Sequence, residues 1–373
     1  MRRPRVLVIF SSGEIGGAER SLTRMVLASR AGAVDYRIAT CGDGVAWQRW
    51  AAEIGLAPLS FPIFASRAIR WREIARLVRH CRESPPDVIY AVGIRCAVLV
   101  RILRPFLPRS AVVHAIRSTF PRGTALARRM RMSERLFGWL TDHYVANSQS
   151  GADSLVQIAG TPAGKITVIH NGVEPAAVAP SDARARGRRI AVVANLNQYK
   201  GHIEFLDIVE RVRAAVPDVE VLFIGRDDSG GKVPREVERR GLADAVRVCG
   251  FQPEPDHLVA TARVFALPST RIEGCPTAVL EALMVGIPVV AYQIGGLPEV
   301  VQSGVTGTLV PPGRADLFAA ALLQLLQDDE LNARYSAAAR VDANARFTLA
   351  ECAARHGALF ARFAAMSYPA RDG

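Results

Sequence analysis

Short runs of β-branched and aliphatic residues alternate with longer helical patterns along almost the whole chain, and the alternation pauses once. In the first half, Val6–Phe10, Tyr36–Thr40, Asp87–Ala91, Ala111–Ile116, His143–Ala146 and Ile166–Ile169 read as strands. Ala18–Arg30, Val45–Ile54, Trp71–Cys81 and Ser148–Ile158 read as helices between them. The segment from Glu174 to Arg189, EPAAVAPSDARARGRR, has no apolar period and reads as a linker. A second alternation follows, including strands Ile190–Ala194 and Glu220–Ile224 and helices His202–Ala215 and Thr277–Val285. Alternation at this spacing predicts parallel sheets covered by helices, here two doubly wound Rossmann-like α/β domains. The expected division is 1–175, a linker at 176–189, 190–350, and a terminal helix at 351–373 with a return to the first domain as one option. Ligands of such folds gather at the carboxyl ends of the strands, so a cleft between the two domains is the expected site.

The bulk properties agree. A chain of 373 residues, half of them hydrophobic, is long for one core and comfortable for two. No apolar stretch approaches the roughly 20 residues that cross a bilayer. The start, Met1-Arg2-Arg3-Pro4-Arg5 before Val6–Phe10, is too short in its apolar part for a signal peptide and reads as a first strand. Six cysteines without a C-x-x-C pair suggest reduced thiols in the cytoplasm and no zinc site.

The charge is uneven. From Arg67 to Arg135 there are sixteen arginines and four acids, a surplus of twelve that equals the net charge of the whole chain. Such a field attracts phosphates of a substrate, of lipid headgroups or of nucleic acid. The plainer reading is an arginine-rich solvated surface from a biased genome, and the chain has only three lysines.

The strongest chemical signal is Glu273-Gly-Cys-Pro-Thr-Ala-Val-Leu-Glu281. Pro276 suits the first turn of a helix, so Glu273 falls in the loop and Glu281 inside the helix. The neighbours of Glu281 are almost all apolar, and a carboxylate there needs a partner. Ribose hydroxyls would serve, and the approach Gly274, Cys275, Pro276 and Thr277 to the helix N-terminus suits a diphosphate. The alternative is an ordinary ion pair for Glu281 and an exposed Glu273.

Glu273 and Glu281 reproduce the E-x7-E motif, and the chain here resembles glycosyltransferase family 4, retaining enzymes of the GT-B fold. The likeness continues in Pro268-Ser269, in Ile294-Gly295-Gly296-Leu297-Pro298-Glu299-Val300, in Gly304-Val305-Thr306-Gly307, and in Val310-Pro311-Pro312-Gly313. Upstream it includes Gly16-Gly17-Ala18-Glu19, Asn147-Ser148-Gln149-Ser150 and Val168-Ile169-His170-Asn171-Gly172-Val173. The resemblance implies that Glu281 holds ribose hydroxyls and Glu273 a hydroxyl of the donor sugar.

Lys200 follows strand Ile190–Ala194 and is placed to neutralise a leaving diphosphate; the alternative is a surface lysine. In the family an arginine begins this loop, and here Asn195 stands in its place. The departure implies weaker phosphate binding, or compensation by Arg226 or Arg271. Gly16 and Gly17 would let a backbone approach a phosphate or sugar at a helix end, or simply make a turn. Gly295 would face the donor sugar, and Phe251, beside Gly250, marks where family members contact the base through backbone atoms. Arg117, at the end of Ala111–Ile116, is the preferred site residue of the first domain; His114 reads as a packed strand histidine.

No D-x-D signature or His/Asp cluster suggests a metal, so no cofactor is expected beyond the nucleotide-sugar donor. The expectation is a cytoplasmic, metal-independent hexosyltransferase that retains configuration, with a sugar, lipid-linked or anionic acceptor and no nucleic-acid partner. Ala125–Leu140 interleaves arginines with Met130, Met132, Phe137 and Trp139. It would lie on an anionic membrane at the inner face, or form a core helix with a basic outer face. The competing functions are a GT-B sugar-nucleotide epimerase or hydrolase, and a non-catalytic binder of anionic surfaces or nucleic acid.

Overall fold

The computed structural model describes residues 2–29, 32, 34–65, 69–175 and 186–367. The chain forms two compact units, one of 1–172 with 349–373 and one of 173–348. Residues 176–185 of the expected linker, and Arg67 at the start of the arginine-rich window, lie outside the described residues.

The first unit holds strands β1 (Arg5–Phe10), β2 (Asp35–Thr40), β3 (Leu59–Ser60), β4 (Val88–Val92), β5 (Ala111–Ile116), β6 (His143–Ala146) and β7 (Ile166–Val168). Its helices are α1 (Gly17–Ala28), α2 (Val45–Glu53), α3 (Trp71–Glu83), α4 (Ile94–Leu103), α5 (Ala125–Phe137) and α6 (Gln149–Ala159). The second unit holds β8 (Arg189–Val193), β9 (Glu220–Ile224), β10 (Val246–Gly250), β11 (Val264–Leu267), β12 (Val289–Tyr292) and β13 (Gly307–Val310). Between and after them run α7 (His202–Ala215), α8 (Lys232–Arg239), α9 (Asp256–Val259), α10 (Thr277–Val285), α11 (Leu297–Val300), α12 (Ala315–Gln327) and α13 (Asp329–Arg346). The last helix, α14 (Leu349–Ser367), belongs to the first unit.

Both sheets are parallel, in the orders β3-β2-β1-β4-β5-β6-β7 and β10-β9-β8-β11-β12-β13. Every residue of β4 and β5 is buried. Strands covered on both faces read as continuous apolar runs rather than alternating ones, which explains VIYAV and AVVHAI. Along β1 the two faces separate. Val6, Val8 and Phe10 pack with Met25, Trp47 and Phe360. Leu7 and Ile9 pack with Ile74 of α3 and Val100 of α4. The strand order reverses between β1 and β4 in one sheet and between β8 and β11 in the other. In doubly wound sheets such switch points are where loops diverge and ligands enter.

Candidate functional site

The residues expected to meet the donor in the second unit all lie at one edge of its sheet. Asn195 and Lys200 follow β8, Arg226 follows β9, Phe251 follows β10, Glu273 follows β11 and Gly295 follows β12. Because the strands are parallel, these are carboxyl ends throughout.

Three loops there are locked together by glycine. Gly201 (φ +71°) caps α7, and a Cβ on it would stand 2.1 Å from the Pro268 carbonyl oxygen. Gly295 (φ +52°) is equally tight against Glu273, with 2.1 Å from a Cβ to the Glu273 carbonyl oxygen. Only glycine tolerates both the conformation and the approach. The result places Lys200 Nζ 2.5 Å from Glu273 Oε1. The Glu273 side chain is 5% exposed and Lys200 is 27% exposed, so the pair is a largely buried carboxylate neutralised by an ammonium at the solvent side. A ligand anion arriving at Lys200 would compete with Glu273 for the same charge.

Helix α10 spans Thr277–Val285, the bounds read from the sequence. Pro276 is the N-cap residue and Thr277 the first helical one, and no side chain caps the end. The first-turn amides of a helix have no partners within it and carry a partial positive charge. Val279, Leu280 and all of 282–285 are buried. Thr277, Ala278 and Glu281 are only half-buried, and spacings of one, three and four residues put them on one stripe. Glu281 is thus the single carboxylate on the accessible stripe of an otherwise buried helix. Gly274 and Cys275, also buried, join Glu273 to the helix end.

Asn195 does not take the part of the missing arginine. Its Oδ1 accepts from the backbone N–H of Arg226 at 3.3 Å, tying the β8 and β9 loops. The Arg226 guanidinium is engaged by Asp228 at 2.6 Å. Arg271 is exposed, with no hydrogen-bond or ionic partner among the described residues. Of the two arginines named as substitutes, Arg226 is paired with Asp228 and Arg271 is without a partner among the described residues. Phe251 is exposed just past Gly250, where β10 slips in register against β9.

Two residues at this edge, Ser269 of the Pro268-Ser269 motif and His202, have no role assigned from the sequence. The Ser269 hydroxyl and both ring nitrogens of His202 are buried without partners, and each such group calls for an explanation. Burial and the nearby Lys200 pull the His202 imidazole down to about 4. It packs edge-on against Phe223, with ring centroids 5.0 Å apart.

In the first unit, Arg117 Nη2 donates to Asn171 Oδ1 at 2.6 Å and to Ser21 Oγ at 3.0 Å. The end of β5 is thereby stitched to α1 and to the segment after β7. Gly16 caps α1 and Gly17 opens it. The Glu19 carboxylate folds back over this end, accepting from the Gly16 N–H and from Ser12 Oγ at 2.9 Å. This is the reciprocal half of a capping box, and it supplies an internal anion at the helix end read from the sequence as an approach for a phosphate or sugar, or as a turn. Burial raises the Glu19 carboxyl, against the opposing pull of these donors. His114 is buried with Arg101, whose Nη2 lies 3.2 Å from its Nδ1. Arg101 pairs with Glu134 at 2.8 Å. Burial favours the neutral acid of Glu134, but His114 and Arg101 together outweigh it and hold the carboxyl at about 2.

Not all of the arginine surplus is therefore on the surface: Arg101 is fully buried and neutralised. Helix α5 keeps Ala127, Met130, Ser133 and Glu134 inward. Outward it shows Arg128, Arg129 and Arg135 together with Met132 and Leu136, and Trp139 just beyond is 76% exposed. Among the described residues no helix is long and apolar enough to cross a membrane, and no three His, Cys, Asp or Glu side chains cluster as metal ligands would.

Comparison with known proteins joins the two units. Residues 15–177 match the model described as Glycosyltransferase Family 4, and residues 176–342 match Glycosyl transferases group 1. The amylovoran biosynthesis glycosyltransferase AmsK of Erwinia amylovora is 33% identical over 179 residues, covering 46% of this chain and 44% of that protein. A D-inositol 3-phosphate glycosyltransferase of Mycobacterium avium (strain 104) is 31% identical over 233 residues, covering 59% and 51%. The chain spans about half the length of the curated relatives it matches. The crystal structure of Anabaena HepE in complex with UDP aligns with a TM-score of 0.82 at 24% identity, covering 96% of this chain and 100% of that one. Sucrose-phosphate synthase from Thermosynechococcus elongatus aligns at 0.79 with 18% identity, covering 98% and 100%. The ordered motifs, the paired parallel sheets and these matches agree: the chain belongs to glycosyltransferase family 4 and has the GT-B fold.

Proposed function

We propose that this protein is a retaining, metal-independent glycosyltransferase that moves a sugar from a nucleotide-sugar to an acceptor in surface polysaccharide or glycolipid synthesis. The observation that carries the reading is the Lys200–Glu273 pair beside the uncapped end of α10, with Glu281 one turn along. Glu281 accepts from two ribose hydroxyls, and the α10 end and Lys200 neutralise the diphosphate as it leaves. Released from Lys200 by the incoming phosphate, Glu273 turns to a hydroxyl of the transferred sugar. Gly295 lets the backbone approach that sugar, and Phe251 marks the base. The departing phosphate oxygen takes the proton of the acceptor hydroxyl, so no nucleophilic carboxylate is required. AmsK, named for amylovoran biosynthesis, and HepE, solved with UDP and with UDP-glucose, support a polysaccharide product and a uridine donor.

The site of action is cytoplasmic, with reversible attachment to an anionic membrane through α5 and Trp139. Guanidiniums beside exposed apolar side chains are the composition of an interfacial helix, and a lipid-linked or anionic acceptor would be presented there. A thermal-shift panel of nucleotide-sugars, followed by donor turnover with EDTA present, tests the reading. Stabilisation by one donor and turnover insensitive to EDTA are expected. Absence of any donor effect, or activity restored only by Mg²⁺, overturns the corresponding part.

A further inference from the structure

Helix α3 carries a second basic and apolar surface, separate from α5. Trp71 at its start is 73% exposed, and Phe106, in the 3-10 turn Arg104–Phe106 after α4, is 56% exposed. Large aromatic side chains left this open in a soluble chain mark a contact surface. Between them runs a groove of about 650 Å³, floored by Ile74, Val78 and Leu103, a volume within the range of ligand sites. Its mouth bears Arg79 and Arg82, with Glu83 at the far end of α3. Arg82 Nε donates to the Phe106 carbonyl at 3.0 Å, which fixes one wall to the other. Arg79 makes no hydrogen bond or ion pair among the described residues.

The surroundings repeat the theme. Arg72 and Arg76 share the outer face of α3 with Arg79, and Glu73 is spent on Arg76 at 2.6 Å. Helices α3 and α4 pack on the Leu7–Ile9 face of the sheet, and α5 lies beside α4. The exposed Ile102 of α4 lies between the two patches in sequence. One helical layer of the first unit thus holds the groove, the α5 arginines and most of the unit's large exposed apolar side chains.

We infer that the groove between α3 and the end of α4 takes an acyl chain of an anionic membrane phospholipid, with the phosphate held by Arg79 and Arg82. An apolar trough fits a chain, and guanidiniums at its mouth suit a phosphate through paired N–H donors. Glu83 repels a second negative group and favours a headgroup with a single charge. The inference rests on the membrane part of the reading above and adds a bound lipid to a surface contact.

The test uses the full chain, vesicles of phosphatidylcholine with and without phosphatidylglycerol, and monomeric lysophosphatidylglycerol as a single-chain probe. Wild-type protein is expected to bind the lyso-lipid in equilibrium dialysis, a readout that every variant below shares. Trp71→Ser with Phe106→Ser should abolish that binding and weaken attachment to anionic vesicles roughly tenfold or more. Arg79→Glu should weaken both roughly fivefold or more. All these side chains are exposed, so melting temperature should hold and separates loss of binding from misfolding. A Trp139→Ser, Arg135→Glu variant reports on α5 alone. Vesicle binding lost in that variant but unchanged in Trp71→Ser/Phe106→Ser overturns the groove and leaves the α5 reading standing. Lyso-lipid binding without any vesicle binding by wild type supports the groove and overturns peripheral attachment. Binding of farnesyl phosphate in preference to the lyso-lipid overturns the phospholipid assignment.

Discussion

The carbonyl oxygen of Glu273 occupies the space in which a side chain on Gly295 would begin, 2.1 Å from the position of its Cβ. The β12 loop therefore sets the height of the β11 loop, and with it the Glu273 carboxylate. Gly295→Ala should push the Glu273 segment outward. A loss of about 1–3 kcal/mol of stability is expected from the forced contact and the left-handed backbone, with weaker nucleotide-sugar binding. A melting curve and donor titration superimposable on wild type would show that the loop yields freely.

Removing Lys200 has two separable effects. Lys200→Ala leaves the Glu273 carboxylate buried without its ammonium, at a cost of about 1–3 kcal/mol. It also removes charge from the leaving group and should lower turnover roughly a hundredfold or more. The double variant Lys200→Ala/Glu273→Ala should recover most of the stability and none of the turnover. Additive losses of stability in a double-mutant cycle would mean that the pair does not couple.

Glu281→Gln replaces one acceptor oxygen with a donor and should weaken nucleotide binding by about 1–3 kcal/mol. Glu273→Ala should lower turnover while free nucleotide still binds, because Glu273 faces the sugar in the proposed complex. Calorimetry with the nucleotide alone distinguishes the two. Equal loss in both variants would place both carboxylates on the nucleotide.

With Asn195 committed to the Arg226 backbone, we propose that Arg271, without a partner among the described residues, helps Lys200. Arg271→Ala should weaken nucleoside diphosphate binding roughly fivefold or more, and Arg226→Ala should matter less. The reverse order would assign the role to Arg226.

Stability should fall on the acid side of neutrality. Burial pulls the imidazoles of His202 and His356 down to about 4, and lowers that of His114. Folding thus excludes protons that the unfolded chain binds below about 6.5. The stabilisation is complete above that value and is lost as pH falls toward 4. The melting temperature should be level from pH 8 to 7 and drop steeply from about 6 to 4.5. His202→Phe removes a buried imidazole with no partner and should flatten part of the drop. A flat profile to pH 5 would contradict the protonation states.

The elements most legible in the sequence were those with clear signals at their ends. Thr277–Val285 follows Pro276 and ends at Gly286 in a left-handed turn, and Ala111–Ile116 is an apolar run broken only by His114. Helix α4 was not expected, because IRCAVLVRIL is apolar nearly all round and shows neither period. Strand β3 is two residues long and below any pattern. Candidate site residues stand out one by one in the sequence, from charge in an apolar setting. Their pairings were not. Lys200 and Glu273 are 73 positions apart, and the burial of Arg101 against Glu134 depends on the packing of α4 on α5. Glu19 stood inside a recognised motif, but its turn back over α1 is a matter of backbone geometry.

Helix α14 belongs to the first unit, although the whole second unit is synthesised between them. Phe360 packs against Tyr90 of β4 at 5.2 Å, and Phe363 against His143 of β6 at 5.2 Å. On the ribosome the order of completion is therefore inverted. The second unit emerges whole and can close on its own residues. The first waits, with α1 and α2 already over β1 but the β4 and β5 part of the same face uncovered, until α14 leaves the exit tunnel. During that interval the apolar side chains of β4 and β5 are the ones a chaperone would meet.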